Sequence, residues 1–120
     1  MIPQNTSIPD IPPAWVIHAA RAEIKKTNNW VMYLDVLCAY YQIPSIKGVV
    51  DVDQKKVPKI ALAMYDPRDQ TFYTKTEKIS ESTALHEFFH HLKFSKGLKI
   101  SADAEDALAN AFAFAISKIT

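Results

Sequence analysis

Apolar residues recur every three to four positions near both ends of the chain, and this spacing predicts helices there. The first helix is predicted over residues 14–26, where one apolar stripe is formed by Val16, Ile17, Ala20 and Ile24. A second, more apolar helix is predicted over residues 30–41, and Pro44 follows its end. A third helix is predicted to begin after a cap at Ser80 or Ser82 and to end at about Phe94. A fourth is predicted to begin after a cap at Ser101 or Asp103 and to end at about Lys118.

Between the two helix pairs the apolar period falls to two, which predicts a small sheet of about three strands. The strand segments are IKGVVDVD, PKIALAMYD and TFYTK, at residues 46–53, 58–66 and 71–75. The Asp66–Gln70 connection is short enough for a hairpin. We expect Thr71–Lys75 to be an edge strand, which could pair with an extended substrate or remain a solvated edge protected by lysines.

These elements predict one α+β domain over residues 14–120. The preceding residues, 1–13, carry four of the seven prolines and are predicted to form an extended arm on the surface. The N-terminus has neither the positive cluster nor the apolar run of a secretion signal.

Composition and charge narrow the function classes. Of the 120 residues, 48% are apolar and 22% charged, as is typical of a soluble globular protein. Fourteen basic residues against thirteen acidic ones leave no basic patch, so direct nucleic-acid binding is not expected. No apolar run reaches about 18 residues, so no membrane span is expected. Cys38 is the only cysteine, which predicts a buried thiol and a cytoplasmic protein without an internal disulfide.

The segment STALHEFFHHLKF, residues 82–94, holds three of the four histidines and the pattern H-E-x-x-H from His86 to His90. On a helix, residues four apart share a face, so the two imidazoles can occupy neighbouring corners of a tetrahedral zinc site. Glu87 would lie at the open corner and take a proton from a zinc-bound water. His91 points about 100° away around the helix and is left out of the site. The alternative is an amphipathic helix with solvent-facing histidines, and chance gives this pattern on the order of once in two hundred such chains.

A catalytic zinc needs a third protein ligand, and the last helix offers acids at Asp103, Glu105 and Asp106. Glu105 falls on the apolar face, where an unpaired carboxylate is costly, and its side chain reaches further than that of aspartate. Near a helix start, however, a carboxylate is favourable without any metal. The residues alone leave both Asp106 and Glu105 as candidates.

This arrangement resembles the gluzincin zinc peptidases, and within them the ImmA/IrrE family, which cleave repressor-type transcription regulators. That family's second motif has an acid, then Ala at +3, Asn or Asp at +4, Phe at +6 and Ala at +7. Here the matching positions are Asp106, Ala109, Asn110, Phe112 and Ala113. The segments LCAYYQIPSI and TFYTK are similar to other parts of the family, whose acid is usually Glu. The size also resembles that of the minigluzincins, which are single-domain members of the clan.

The resemblance implies a zincin-like fold, Asp106 as third ligand ahead of Glu105, and a hydrogen bond from His86 to Asn110. We therefore expect a zinc-dependent metallopeptidase that acts on extended peptides or proteins, with repressor-type regulators among the expected substrates. The alternatives are a non-catalytic zinc-binding regulatory or partner-binding module on the same fold, and a fold with a decayed site. Tyr65 and Tyr73, near the predicted sheet edge, could each donate to an oxyanion, and Tyr73 is the candidate retained; packing would also explain either residue.

Overall fold

The computed structural model describes residues 9–50, 57–58, 61–75 and 78–120. Within these ranges the chain forms four helices: α1 (Ala14–Thr27), α2 (Trp30–Tyr41), α3 (Glu81–Lys96) and α4 (Ala102–Ser117). All four were predicted from the apolar spacing, although α3 extends two residues beyond the predicted end. Residues 9–13 of the predicted arm have no regular secondary structure, and the rest of that arm lies outside the described residues.

The ends of α3 and α4, which carry the candidate site, follow local chemistry. The Ser80 hydroxyl caps α3 by accepting a hydrogen bond of 3.1 Å from the Thr83 amide. Gly97 ends the helix with a φ of 63°, a left-handed conformation that glycine adopts without strain. Ser101 occupies the N-cap position of α4, so Asp103 lies inside the first turn and is not the cap.

Three strands form a mixed sheet in the order β1-β3-β2: β1 (Lys47–Val50), β2 (Ala63–Asp66) and β3 (Thr71–Thr74). The predicted hairpin joins β2 to β3 in antiparallel pairing, while β1 pairs with β3 in parallel. β3 is therefore the central strand, and the prediction that Thr71–Lys75 forms an edge is wrong. Residues 51–53 and 59–60 of the predicted strands lie outside the described residues. The α+β class, with four helices and three strands, is confirmed for the described part of the chain.

The apolar interface between α3 and α4 fixes the two helices that carry the candidate site. Phe88, Phe89 and Phe112 are fully buried, and the Phe112 ring lies 6.2 Å and 5.4 Å from the other two. Burying each such side chain stabilises the fold by about 1.5–3 kcal/mol.

Cys38 is also buried, as predicted, and desolvation raises the pKa of its thiol to about 12.

A polar cluster at the start of α3 joins this helix to the other three. The Arg21 guanidinium of α1 makes two hydrogen bonds to the Glu81 carboxylate, at 2.8 and 3.0 Å, and the Tyr33 hydroxyl of α2 donates a third at 2.6 Å. Arg21 also donates to the carbonyl oxygens of Ile116 and Ile119 at the end of α4.

None of the helices in the described ranges combines the length and apolar character needed to cross a bilayer.

Candidate metal centre

Two histidines of α3 and one aspartate of α4 converge at one face of the helix pair. Asp106 Oδ1 lies 3.4 Å from Nε2 of His86 and 3.4 Å from Nε2 of His90. All three atoms lie within 4.8 Å of one another. A tetrahedral zinc with bonds of about 2.0–2.1 Å separates its ligand atoms by about 3.3–3.4 Å. The two distances from Asp106 therefore match the spacing of zinc ligands, and nitrogen and carboxylate oxygen are donor types that zinc binds.

The other nitrogen of each imidazole is held by an acceptor on α4. His86 Nδ1 lies 2.7 Å from Asn110 Oδ1, and His90 Nδ1 lies 2.5 Å from Glu105 Oε2. A side-chain amide oxygen or a carboxylate can only accept, so each Nδ1 carries the proton and donates it. Each Nε2 then presents its lone pair towards Asp106, in the tautomer that a metal ligand requires.

The structure gives the two candidate acids different positions. Both Glu105 oxygens are already engaged, one with His90 and the other with the Lys93 ammonium at 3.0 Å. Burial opposes the ionisation of Glu105, but the hydrogen bonds from Lys93 and His90 outweigh it, so the pKa of this carboxyl lies below its ordinary value. Asp106 is 79% exposed and faces the two Nε2 atoms. Glu105 thus orients His90, and Asp106 is the acid available to a cation.

Glu87 lies beside the three converging atoms and is not one of them. Its carboxylate is 3.9 Å from His86 Nε2, and its side chain is only 13% exposed. Desolvation raises the pKa of Glu87 to about 7, against the opposing effects of His86 and of a hydrogen bond from the Tyr65 backbone. A carboxylate with a pKa near neutrality can both accept and return a proton.

Two grooves meet at His86 and Glu87, and the outer edge of β2 forms a wall of both. Ala61 and Ala63 line both grooves. The Lys75 amide donates to the Leu62 carbonyl across the hairpin, so the backbone polar groups of the next residue, Ala63, point away from β3. The grooves are therefore bordered by a strand edge that no other described strand pairs with, and a further extended chain could complete it.

One groove runs past Asn110 and ends between two exposed apolar side chains. Leu62 and Phe114 are 61% and 62% exposed and line this groove together with Ala113. The other groove runs past Asp106 and contains Phe94, which is 50% exposed. Exposed apolar side chains therefore line both grooves in addition to the polar groups of the site.

The structure does not bring Tyr73 to the site. Its hydroxyl donates to Asp69 at 2.6 Å in the hairpin turn, and its side chain lines neither groove. Tyr65 lines the second groove, but its hydroxyl is within 2.7 Å of His91 Nδ1. The candidate role of Tyr73 as an oxyanion donor is therefore not supported, because its proton is directed to another partner.

Sequence reasoning missed the Lys93–Glu105–His90 chain of contacts. The only local signal is the spacing of His90 and Lys93, which are three residues apart and so share a face of α3. Which acid of α4 would meet that face depends on the register between the two helices.

Comparisons of the chain with protein-family models, with curated proteins and with solved structures give no match.

Proposed function

We propose that the protein is a zinc-dependent metallopeptidase-like hydrolase of the gluzincin type, on a zincin-like fold that resembles the ImmA/IrrE family and the minigluzincins. The observation that carries the proposal is the convergence of His86, His90 and Asp106, whose ligand atoms lie within 4.8 Å of one another, with Glu87 beside them. When bound, zinc would supply a Lewis acid that polarises the scissile carbonyl and acidifies the attacking water.

The chain's own residues would divide the remaining work. Asn110 and Glu105 hold the two imidazoles in the ligating tautomer, so zinc binding needs little reorganisation. The Glu87 carboxylate takes the proton of the attacking water and delivers it to the leaving amine nitrogen. Burial of this carboxylate raises its pKa and so its basicity, which favours the first transfer.

An extended peptide is the substrate class that the grooves support best. The outer edge of β2, which pairs with no other strand in the part of the chain that the structure describes, offers backbone donors and acceptors at Ala63. Strand addition at such an edge is a common mode of peptide binding. Leu62 and Phe114 on one side and Phe94 on the other favour apolar side chains around the cleaved bond. A repressor-type regulator as the protein substrate, and a cytoplasmic location, stay predictions from the sequence.

Zinc content and peptide cleavage, measured together, test this proposal. The protein purified with zinc should contain about one zinc per chain by elemental analysis and should cleave members of a mixed peptide library. Glu87→Gln should retain the zinc and lose cleavage by a factor of about 10²–10⁴, the range typical of a lost general base. Glu23→Gln, on α1 and outside both grooves, is the matched control.

Each alternative has its own outcome in the same experiment. A protein that binds no zinc would exclude the metal centre. Zinc binding without cleavage would favour the non-catalytic, partner-binding module. Loss of zinc from Glu87→Gln would make Glu87 a ligand and contradict the assigned role.

A further inference from the structure

His91, the one histidine of α3 outside the metal group, is a buried connector between three parts of the fold. It is fully buried, and its Nε2 lies 2.7 Å from the Pro44 carbonyl oxygen in the connection between α2 and β1. Its Nδ1 lies 2.7 Å from the Tyr65 hydroxyl on β2. Since a carbonyl only accepts, Nε2 carries the ring proton and Nδ1 accepts the proton of Tyr65. Both ring nitrogens are satisfied without a metal.

Tyr65 connects this buried contact to Glu87. Alternation along β2 gives Tyr65 the same outward backbone direction as Ala63, away from β3. Tyr65 and Glu87 line the same groove. A hydrogen bond from the Tyr65 backbone opposes the rise in the pKa of the Glu87 carboxyl that burial causes. The side chain of Tyr65 also packs edge-on against the His91 ring, with centroids 5.2 Å apart. One residue thus holds His91 through its side chain and Glu87 through its backbone.

We infer that His91 and Tyr65 are positioning residues, which set the Glu87 carboxylate relative to the zinc ligands by fixing the distance between β2 and α3. This inference rests on the proposed role of Glu87. Among the described residues β2 pairs with a strand on one side only, so its spacing from α3 depends on side-chain contacts. Apolar packing tolerates small shifts, whereas a buried hydrogen bond at both ring nitrogens fixes the position closely. A displacement of about 1 Å at a catalytic group can reduce a rate by about 10²-fold.

Tyr65→Phe tests the inference, and Tyr41→Phe is its matched control. Each substitution removes one hydroxyl from a tyrosine that is 8% exposed and that makes a 2.7 Å hydrogen bond, to His91 in one case and to the Asp10 carbonyl in the other. Tyr65→Phe should lower kcat for peptide cleavage about tenfold, with KM and zinc affinity within about twofold of wild type. Tyr41→Phe should leave kcat within about twofold. An equal loss in both variants would mean general destabilisation and would overturn the inference.

The NMR signal of the residue 65 amide provides a readout that does not require activity. In wild type we expect the N–H of this amide to donate to the Glu87 carboxylate, so its signal should be shifted downfield and protected from hydrogen exchange. Glu87→Ala should remove both properties, and Tyr65→Phe should change them in the same direction while Tyr41→Phe does not. An unchanged amide in Tyr65→Phe contradicts the inference whatever the activity. A changed amide in a protein that cleaves nothing supports the positioning contact and rejects the proposed function.

Discussion

Two polar clusters join α3 to the neighbouring helices, and their charges differ. In the cluster at the start of α3, Arg21, Glu81 and Tyr33 pair donor with acceptor at 2.6–3.0 Å. In the second, His86, His90 and Asp106 direct three acceptor atoms at one point, with the aspartate 3.4 Å from each histidine. Among the described residues no lysine or arginine pairs with Asp106. The first cluster is complete within the chain, whereas the second has the form of a site for a cation.

The largest effect that would test this contrast is expected from the histidines. His86→Ala and His90→Ala each remove one of three ligands and should weaken zinc binding on the order of a thousandfold, or about 4 kcal/mol. His18→Ala is the control, because this exposed histidine on α1 is hydrogen-bonded to the Thr120 carbonyl and lies outside the group. Zinc titration in competition with a chelator measures all three. Wild-type zinc affinity in either ligand variant would show that the metal binds elsewhere.

Alanine substitutions of the two candidate acids of α4 should differ by about tenfold in how much they weaken zinc binding. Asp106→Ala removes a ligand and should weaken zinc binding about a hundredfold, near 2.7 kcal/mol. Glu105→Ala removes the acceptor that holds His90 and should weaken binding about tenfold, the lower end for a lost orienting partner. Asp103→Ala, on the same helix turn, should leave zinc affinity unchanged. If Glu105→Ala is the more damaging change, the third ligand is Glu105.

Local patterns were sufficient for the helices and for placing the two candidate histidine ligands on one helix. The limits of α2 were predicted to the residue, because Asn29 and Pro44 mark its two ends in the sequence itself. The spacing of His86 and His90 is also a property of one helix. Their meeting with α4 follows from the family resemblance, which pointed to Asp106 and Asn110 before the register between the helices was known.

What the sequence did not reveal depends on contacts between distant segments. The central position of β3 results from its parallel pairing with β1, residues 47–50 against 71–74, which no local alternation encodes. Whether Glu105 meets zinc or His90 depends on where α4 crosses α3. Tyr73 was assigned to the site from its nearness to the predicted edge, but the pleat and the hairpin turn direct its hydroxyl to Asp69.

A substitution in the cluster at the start of α3 should lower the stability of the protein and leave its zinc affinity unchanged. Glu81→Gln weakens the pairing with Arg21 and should lower the free energy of unfolding by about 2 kcal/mol, since both side chains are partly buried. Zinc affinity should stay within about twofold, because Glu81 contacts none of the three ligands. Denaturant titration of the zinc-free protein gives the first quantity and chelator competition the second. A zinc affinity that falls in step with stability would mean that the two clusters are one unit.

The smallest effect separates a residue that orients a ligand from one that merely lines the groove. Asn110→Ala leaves His86 Nδ1 without its acceptor, so the ring can rotate and zinc binding should weaken about tenfold, or 1.4 kcal/mol. Ser117→Ala is the control, since Ser117 lines the same groove but its hydroxyl donates only to the Ala113 carbonyl of its own helix.

Asn110→Asp makes this last prediction specific to hydrogen bonding. The aspartate keeps an acceptor at the same position and should bind zinc at least as tightly as wild type, because a carboxylate makes the imidazole a stronger ligand. Chelator competition on the three variants should therefore rank Asn110→Ala below Ser117→Ala, and Asn110→Asp at or above wild type. Equal weakening by alanine and aspartate would show that Asn110 acts through its shape or its amide nitrogen, and the tautomer assigned to His86 would have to be reversed.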